Sequence, residues 1–371
     1  MTALMSRLDL RRIGLALAAP VLAIVVALLI TCVILLTSGS SISGFLSTIF
    51  AVPAGRNVIN ILNNASILYL SALAAAVGFR MNLFNIGVEG QYRVAVFAAA
   101  VFAGEGWLPG PLNVIVAMLL AVLVGASWAA LAGLLKVTRG ISEVISTIML
   151  NAIAVSITSY LLRKVGKTTG SNLATKPIPE DSWVHGIPLV PSAPNDLLGL
   201  SLLAVVAGIG YAVLLNRSRF GFELRATGTS ASAAVASGID VRRMVVVSMV
   251  ISGAVAGLIG LPLLFGSSHS YGTTFQAGIG FAGIAVALLG RNHPIGIAFG
   301  ALLFSYLNEQ SNLLEINAQV SPDIVAITQG VIVLAVVIAY EVVRRYRAAL
   351  EQQRVAAELS SPADVTPEAI R

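Results

Sequence analysis

The sequence predicts an all-α integral membrane protein of about ten transmembrane helices, arranged as two inverted five-helix halves with both termini in the cytoplasm. Three observations carry that reading. Hydrophobic residues make up 57% of the 371 residues and charged residues only 11%, against roughly a quarter charged in a soluble domain. Long stretches without any Asp, Glu, Lys or Arg recur in series. Lys and Arg, which mark the cytoplasmic ends of membrane spans, gather on alternate connections. A soluble fold with this many apolar helices would lack the polar surface to cover them.

The uncharged stretches are Ile13–Leu36, Asn57–Phe79, Val94–Gly104, Gly106–Leu135, Val144–Leu162, Leu197–Asn216, Met244–Gly290, Asn292–Asn308 and Ile324–Tyr340. Most are long enough to cross about 30 Å of hydrocarbon as helices. Met244–Gly290 must hold more than one crossing and divides near 265–276, where Gly, Ser, His and Thr gather. The first stretch follows Arg7, Arg11 and Arg12 as in a signal peptide, but it exceeds the apolar length of about 7 to 15 residues of such a peptide, so a retained signal anchor is expected. Residues 1–56 then form an anchor helix and outer linker, 57–343 the transmembrane domain, and 344–371 a cytoplasmic tail. The tail composition predicts a helix extension fraying into disorder. An odd number of spans per half is what would relate the halves by inversion. Cys32 is the single cysteine, so one chain can form neither a disulfide nor a cysteine metal cluster.

Net charge is +6. The basic residues from Arg80 and Arg93 through Lys136, Arg139, Arg217, Arg225, Arg242, Arg243 and Arg291 to Arg344 fall on expected inner connections. Spread this way instead of over one face, they speak against nucleic-acid binding. The proline-rich segment 163–196 is an expected outer loop, either a cap or docking surface or a plain connector. Inside, 217–243 is the longest connection before the tail, and the Ala, Ser and Thr of Ala226–Gly238 suit a short surface helix.

Phe79–Gln91 sets amides, a carboxylate and glycines into a chain otherwise made for lipid. A charge in mid-membrane costs about 2.5 to 3.5 kcal/mol on insertion scales, so such a cluster faces a pathway or a site. Transport is therefore the leading function class. Enzyme chemistry finds no nucleophile triad or paired carboxylates, and His269 and His293 are too isolated for a metal site. Gly278–Gly283 fits G-x-G-x-x-G but without the strand that a dinucleotide site requires, so close helix packing is its expected use. Gly166-Lys167-Thr168 lacks the earlier glycine of a phosphate loop, Leu161 standing there instead. Gly253 with Gly257 and Gly296 with Gly300 fit small-residue helix contacts.

Four segments together resemble the permease subunits of ATP-binding-cassette importers for branched-chain amino acids, ribose and nucleosides, with the nucleoside type nearest. Asn82–Gln91 matches the N-L-F-N-I-G-x-E-G-Q signature of that subgroup. Lys136–Asn151 resembles its second motif, Arg225–Gly228 with Ala233, Ala234 and Gly238 its cytoplasmic coupling segment, and Gly280–Pro294 its fourth. Ser142, Ala152 and Ser230 depart from the family pattern, and Ser230 bears on the partner contact. The resemblance covers about 57–340.

The resemblance implies a multi-pass permease of a bacterial inner membrane, working with a second, homologous permease, an ATPase with two nucleotide-binding domains and an extracytoplasmic substrate-binding lipoprotein. No cofactor is expected in this chain, with ATP and Mg2+ held by the ATPase. The expected pathway residues are Asn82, Phe84, Asn85, Glu89, Gln91, Asn151 and Phe281. Their amides and carboxylate suit ribose hydroxyls and base edges, and Phe84 or Phe281 suits stacking. The other reading is that these groups satisfy one another and a broken helix backbone. Expected contacts to the ATPase are Glu223, Arg225, Ala226, Gly228, Ala233, Ala234 and Gly238. The rival classes are an ion-coupled carrier of a small polar solute, for which Glu89 alone is a candidate relay, and a permease of this type for a sugar or other metabolite.

Overall fold

The computed structural model describes residues 25–37, 39–169, 172–191, 193–318 and 320–360. The chain divides into two compact units, one of residues 1–42 with 323–371 and one of 43–322. Residues 1–24, which include the first half of the expected anchor, and the end of the tail, 361–371, lie outside the described residues.

The helices in order are α1 (25–37), α2 (Ile42–Ile49), α3 (Gly55–Arg80), α4 (Val88–Glu105), α5 (Gly110–Arg139), α6 (Glu143–Val165), α7 (Leu202–Arg217), α8 (Arg219–Thr229), α9 (Ala231–Ala236), α10 (Val241–Ala256), α11 (Leu261–Leu263), α12 (Ile279–Leu289), α13 (Pro294–Ala318) and α14 (Pro322–Ser360). Within the smaller unit, the buried Thr31 and Thr328 share a hydroxyl hydrogen bond of 3.0 Å between α1 and α14. Residues 344–360 continue α14, so the described part of the expected tail is helix.

Among the described residues, five helical segments are long and apolar enough to cross a membrane, namely Gly55–Arg80, Gly110–Arg139, Glu143–Val165, Gly199–Arg217 and Val241–Ser268. Their burial sorts them. The apolar windows of Gly55–Arg80 and Val241–Ser268 are 72% and 61% buried, against 28% for each of the other three. α3 and α10 are therefore central, while α5, α6 and α7 leave broad apolar faces such as Leu119, Met149 and Val206 uncovered.

Small residues set the closest helix approaches. A Cβ added at Gly253 would meet the Gly125 carbonyl oxygen, one at Gly125 the Gly253 carbonyl, and one at Gly257 the Ala121 carbonyl, so α5 and α10 touch backbone to backbone. Gly280 and Gly283 serve packing, since Cβ atoms there would strike the Glu89 backbone and Ser71, while Gly278 has open space around it and a left-handed φ of 82°.

Two interruptions shape the larger unit. Beyond α10 the chain turns at Gly257–Gly260, forms α11 and a five-residue π turn at Leu264–Ser268, and reverses at His269, whose φ is 50°. It then returns as irregular chain to Gly278, so α12 has only 11 residues. That is about 16 Å, half a membrane crossing, where the sequence reading expected a full span.

The 163–196 segment is a cap, not a loose connector. It begins with the antiparallel strands β1 (Lys167–Thr169) and β2 (Asn172–Ala174), the exception to the all-helical expectation. Thr175, Ile178 and Val184 then donate backbone N–H bonds of 2.8, 2.8 and 3.0 Å to Tyr271, His269 and Phe265. Trp183 stacks on His269 with centroids 3.8 Å apart, and burial lowers the His269 pKa below its ordinary value, which keeps the imidazole neutral.

Gly253→Val should lower the detergent melting temperature, by the roughly 1 to 3 kcal/mol typical of overpacking. Gly210→Ala in α7, where an added Cβ meets nothing within 4 Å, should leave it unchanged or raised.

Candidate functional site

The signature run forms the turn from α3 into α4. Residues 81–87 leave helical geometry, with Asn82 at φ 58°, a left-handed value that Asn tolerates better than most residues. Asn85 turns inward and is fully buried. Its Nδ2 donates to Gln91 Oε1 at 3.0 Å and to Ser252 Oγ at 2.8 Å, while its Oδ1 accepts from Gln91 Nε2 at 2.9 Å and from the Gly87 N–H at 3.0 Å. Ser252 of α10 passes the connection to the Ala74 carbonyl of α3 at 2.6 Å. Asn151 of α6 accepts from the Gly90 N–H at 2.8 Å and donates to the Ile86 carbonyl at 2.9 Å.

Glu89 is buried and meets the half helix. Its Oε1 accepts from the Gly278 N–H at 2.9 Å and its Oε2 from the Gly280 N–H at 2.8 Å, and Arg93 Nε holds Oε1 at 2.7 Å. The first N–H groups of a helix have no intrahelical partner and carry the positive end of its dipole. A carboxylate from another helix here satisfies both needs, and Arg93 balances its charge. Tyr92 adds a hydroxyl bond to the Gln276 carbonyl.

The expected pathway residues thus fall into two sets. Asn85, Glu89, Gln91 and Asn151 form one buried joint linking α3, α4, α6, α10 and α12, with their polar groups directed at one another and at backbone. Asn82, Phe84 and Phe281 lie apart from it with exposed side chains. Phe84 packs edge to face on Phe79, beside the Lys136–Glu143 ion pair.

Two adjoining clefts at the other end of α3 contain polar residues that sequence reasoning missed. The first, about 430 Å³, is lined by Asn60, Asn63 and Asn64 of α3, by Asn195 and Asp196 of the cap, and by the π turn. The second, about 300 Å³, lies between Asn64, Gln276 before α12, and Asn308, Glu309 and Asn312 of α13. Asn60 Nδ2 donates to Glu309 Oε1 at 2.9 Å, and Asn63 Oδ1 accepts from the Leu198 N–H at 2.9 Å. A signal was present: three asparagines at i, i+3 and i+4 share one face of an apolar helix, and the Asn308–Asn312 run interrupts another.

The expected coupling segment forms α8 and α9, with Ser218 and Ser230 capping them through bonds of 3.0 and 3.3 Å from the Gly221 and Ala233 N–H groups. Arg225 bonds the Leu215 carbonyl, and Glu223 pairs with Arg219 at 2.7 Å. Gly228 abuts the end of α3, where a Cβ would meet the Arg80 carbonyl. Ala226 is half-buried, Ala233 and Gly238 are exposed, and Ala234 is only 2% exposed, facing the protein's own core. The outward apolar side chains are instead Phe222 and Val235, 63% and 61% exposed.

Residues 57–339 match the family model of the branched-chain amino acid transport system permease component. The chain belongs to this permease family. The guanosine ABC transporter permease protein NupP of Bacillus subtilis is 34% identical over 332 residues, covering 87% of this chain and 93% of its own. The nucleoside ABC transporter permease protein NupB of Lactococcus lactis is 31% identical, covering 86% and 90%. The glucose ABC transporter permease protein of Haloferax volcanii is 30% identical, covering 82% of each chain. The permease is thus a transport subunit of a multi-pass membrane system.

Within the permease, Glu89→Ala leaves the Gly278 and Gly280 N–H groups and Arg93 unpartnered and should cost about 1 to 3 kcal/mol or more. Glu89→Gln keeps one acceptor and should cost less. Denaturant melts in detergent measure both, and equal stability of the two variants would contradict the capping role.

Proposed function

We propose that the chain is the transmembrane permease subunit of an ATP-binding-cassette importer that moves nucleosides or related small polar metabolites into the cell across a bacterial inner membrane. The observation that carries this reading is the match to guanosine and nucleoside permeases over nearly the full length of both chains. Its partners in this reading are a second, homologous permease, an ATPase supplying two nucleotide-binding domains with ATP and Mg2+, and an extracytoplasmic binding lipoprotein. The 30% identity to a glucose permease keeps a sugar as the second cargo class.

Side-chain geometry favours this over an ion-coupled carrier. Both Glu89 oxygens already accept hydrogen bonds, so this carboxylate is engaged as a helix cap. Because α12's positive end is neutralised from within the chain, it is not left to bind an anionic cargo, which agrees with a neutral one.

Ten crossings are proposed, by α1, α3, α4, α5, α6, α7, α10, the irregular chain 269–278 together with the half helix α12, α13 and α14, with both termini inside. Within the larger unit the contacts agree with this order. Arg80 bonds the Asn292 carbonyl at 2.8 Å, and Gly228 abuts Arg80, so the connections meant to lie inside meet at one end. Glu105 and Lys176, 3.4 Å apart, belong to connections meant to lie outside. Phe222 and Val235 then face the cytoplasm as an apolar docking surface for the ATPase.

Right-side-out vesicles of the complete transporter, loaded with ATP and supplied with binding protein, should accumulate labelled guanosine without an ion gradient. Uptake that needs a gradient and ignores ATP would overturn the proposal. Val235→Glu should reduce uptake at least tenfold while the complex still folds and hydrolyses ATP. In a Cys32→Ser background, Cys at 185 should react with an impermeant maleimide in intact cells and Cys at 232 only after permeabilisation.

A further inference from the structure

We infer that the cleft between α3, the chain entering α12 and α13 is a cargo-binding subsite for a neutral, polyhydroxylated ligand, with the Glu309 carboxylate accepting from a vicinal diol and the cleft's charge rejecting phosphorylated forms. This deepens the transport reading and rests on it for the ligand's class.

Asn64 lies 16 residues before Arg80 on one continuous helix, about 24 Å along its axis. The cleft therefore opens at the end of α3 opposite to α8 and α9, where an importer would receive its cargo. Its two lobes share Asn64 and Ile67, and volumes of about 430 and 300 Å³ fall within the range of about 300 to 1,000 Å³ common for small-molecule sites.

Chemistry comes next. Carboxamides from Asn60, Asn63, Asn64, Gln276, Asn308 and Asn312 converge on the two lobes, alongside aliphatic walls from Ile67 and Ile279. Each carboxamide offers donors and an acceptor, which fits hydroxyls and base edges alike. Asn308 and Asn312 stand one helical turn apart on α13, so both face the cleft. The Asn60 amide holds Glu309 between α3 and α13 at 2.9 Å. A carboxylate so placed can accept two adjacent hydroxyls, as acidic residues do from a ribose.

Charge is one-sided. Asp196 and Glu309 are the charged residues lining the lobes, and neither Lys, Arg nor His appears among the lining residues. A phosphoryl group entering there meets like charge without a compensating cation.

A separate observation also points to a ligand. Asn195 donates to Asn60 Oδ1, yet its own Oδ1 is buried without a partner among the described residues, and Asn195 stands at the wall of the first lobe. Buried acceptors are nearly always satisfied, and a ligand hydroxyl reaching this carboxamide would supply a donor.

The test is ligand protection in the complete transporter. Asn312→Cys and Asn308→Cys, each in a Cys32→Ser background, are reacted with a cationic and an anionic methanethiosulfonate, and modification of this chain is read by mass spectrometry. The cationic reagent should react at least tenfold faster than at an exposed Trp107→Cys between α4 and α5, normalised to the anionic one. Millimolar guanosine should slow modification, guanosine monophosphate should need at least tenfold more for the same effect, and Glu309→Gln should raise the half-protecting guanosine concentration at least tenfold. Equal protection by guanosine monophosphate, or none by any neutral nucleoside or sugar while ATP-driven guanosine uptake persists, would overturn the subsite and leave the transport reading standing. Protection by glucose but not guanosine would support the subsite and overturn the nucleoside reading.

Discussion

The Glu89 carboxylate against the start of α12 is the contact on which the larger unit depends. The first N–H groups of a helix have no intrahelical partner, and leaving them unpaired inside the protein costs about 1 to 3 kcal/mol each. Glu89 accepts from two of them and Arg93 balances its charge. Once that cap is in place, α12 can stay short, and the irregular 269–278 segment can line a cleft instead of continuing as helix. The surrounding amides follow the same logic. Asn85, Gln91, Ser252 and Asn151 satisfy the broken end of α3 and the start of α4 almost entirely with one another and with backbone.

Polar groups therefore play two roles in this protein, and burial tells them apart. Those in the joint are closed on themselves. Those on the opposite half of α3 and along α13 line open space, with Asn195 Oδ1 of the cap left without a partner among the described residues. Reading the joint as scaffold and the clefts as the wet surface accounts for both without asking one carboxylate to cap a helix and bind cargo.

Much of this was legible in the sequence, for physical reasons. Lipid demands uncharged runs, so the helical class and the positions of α3, α5, α6, α7 and α10 follow from hydropathy. The signature run was visible because its polarity stands out, and Asn85, Glu89, Gln91 and Asn151 do meet in space. Counting charges, however, passes over asparagine, and so the triplet Asn60, Asn63 and Asn64 stayed inside an uncharged stretch and escaped notice. Tertiary backbone bonds order the cap, and no local pattern reveals them. The inward turn of Ala234 depends on how α9 docks, which an Ala-rich segment does not specify.

The unbroken length of α3 has one more consequence. At one end Gly228 of α8 lies against Arg80, with Arg80 also gripping the Asn292 carbonyl ahead of α13, and at the other end stand Asn60, Asn63 and Asn64. A stiff helix pivoting in mid-length acts as a lever. A tilt of about 5° over about 24 Å moves its far end by about 2 Å relative to the near one, enough to separate a carboxamide from a hydroxyl that it was holding. The same rod that carries the cleft wall also touches α8, so under the proposed function grip and release can be two attitudes of a single helix.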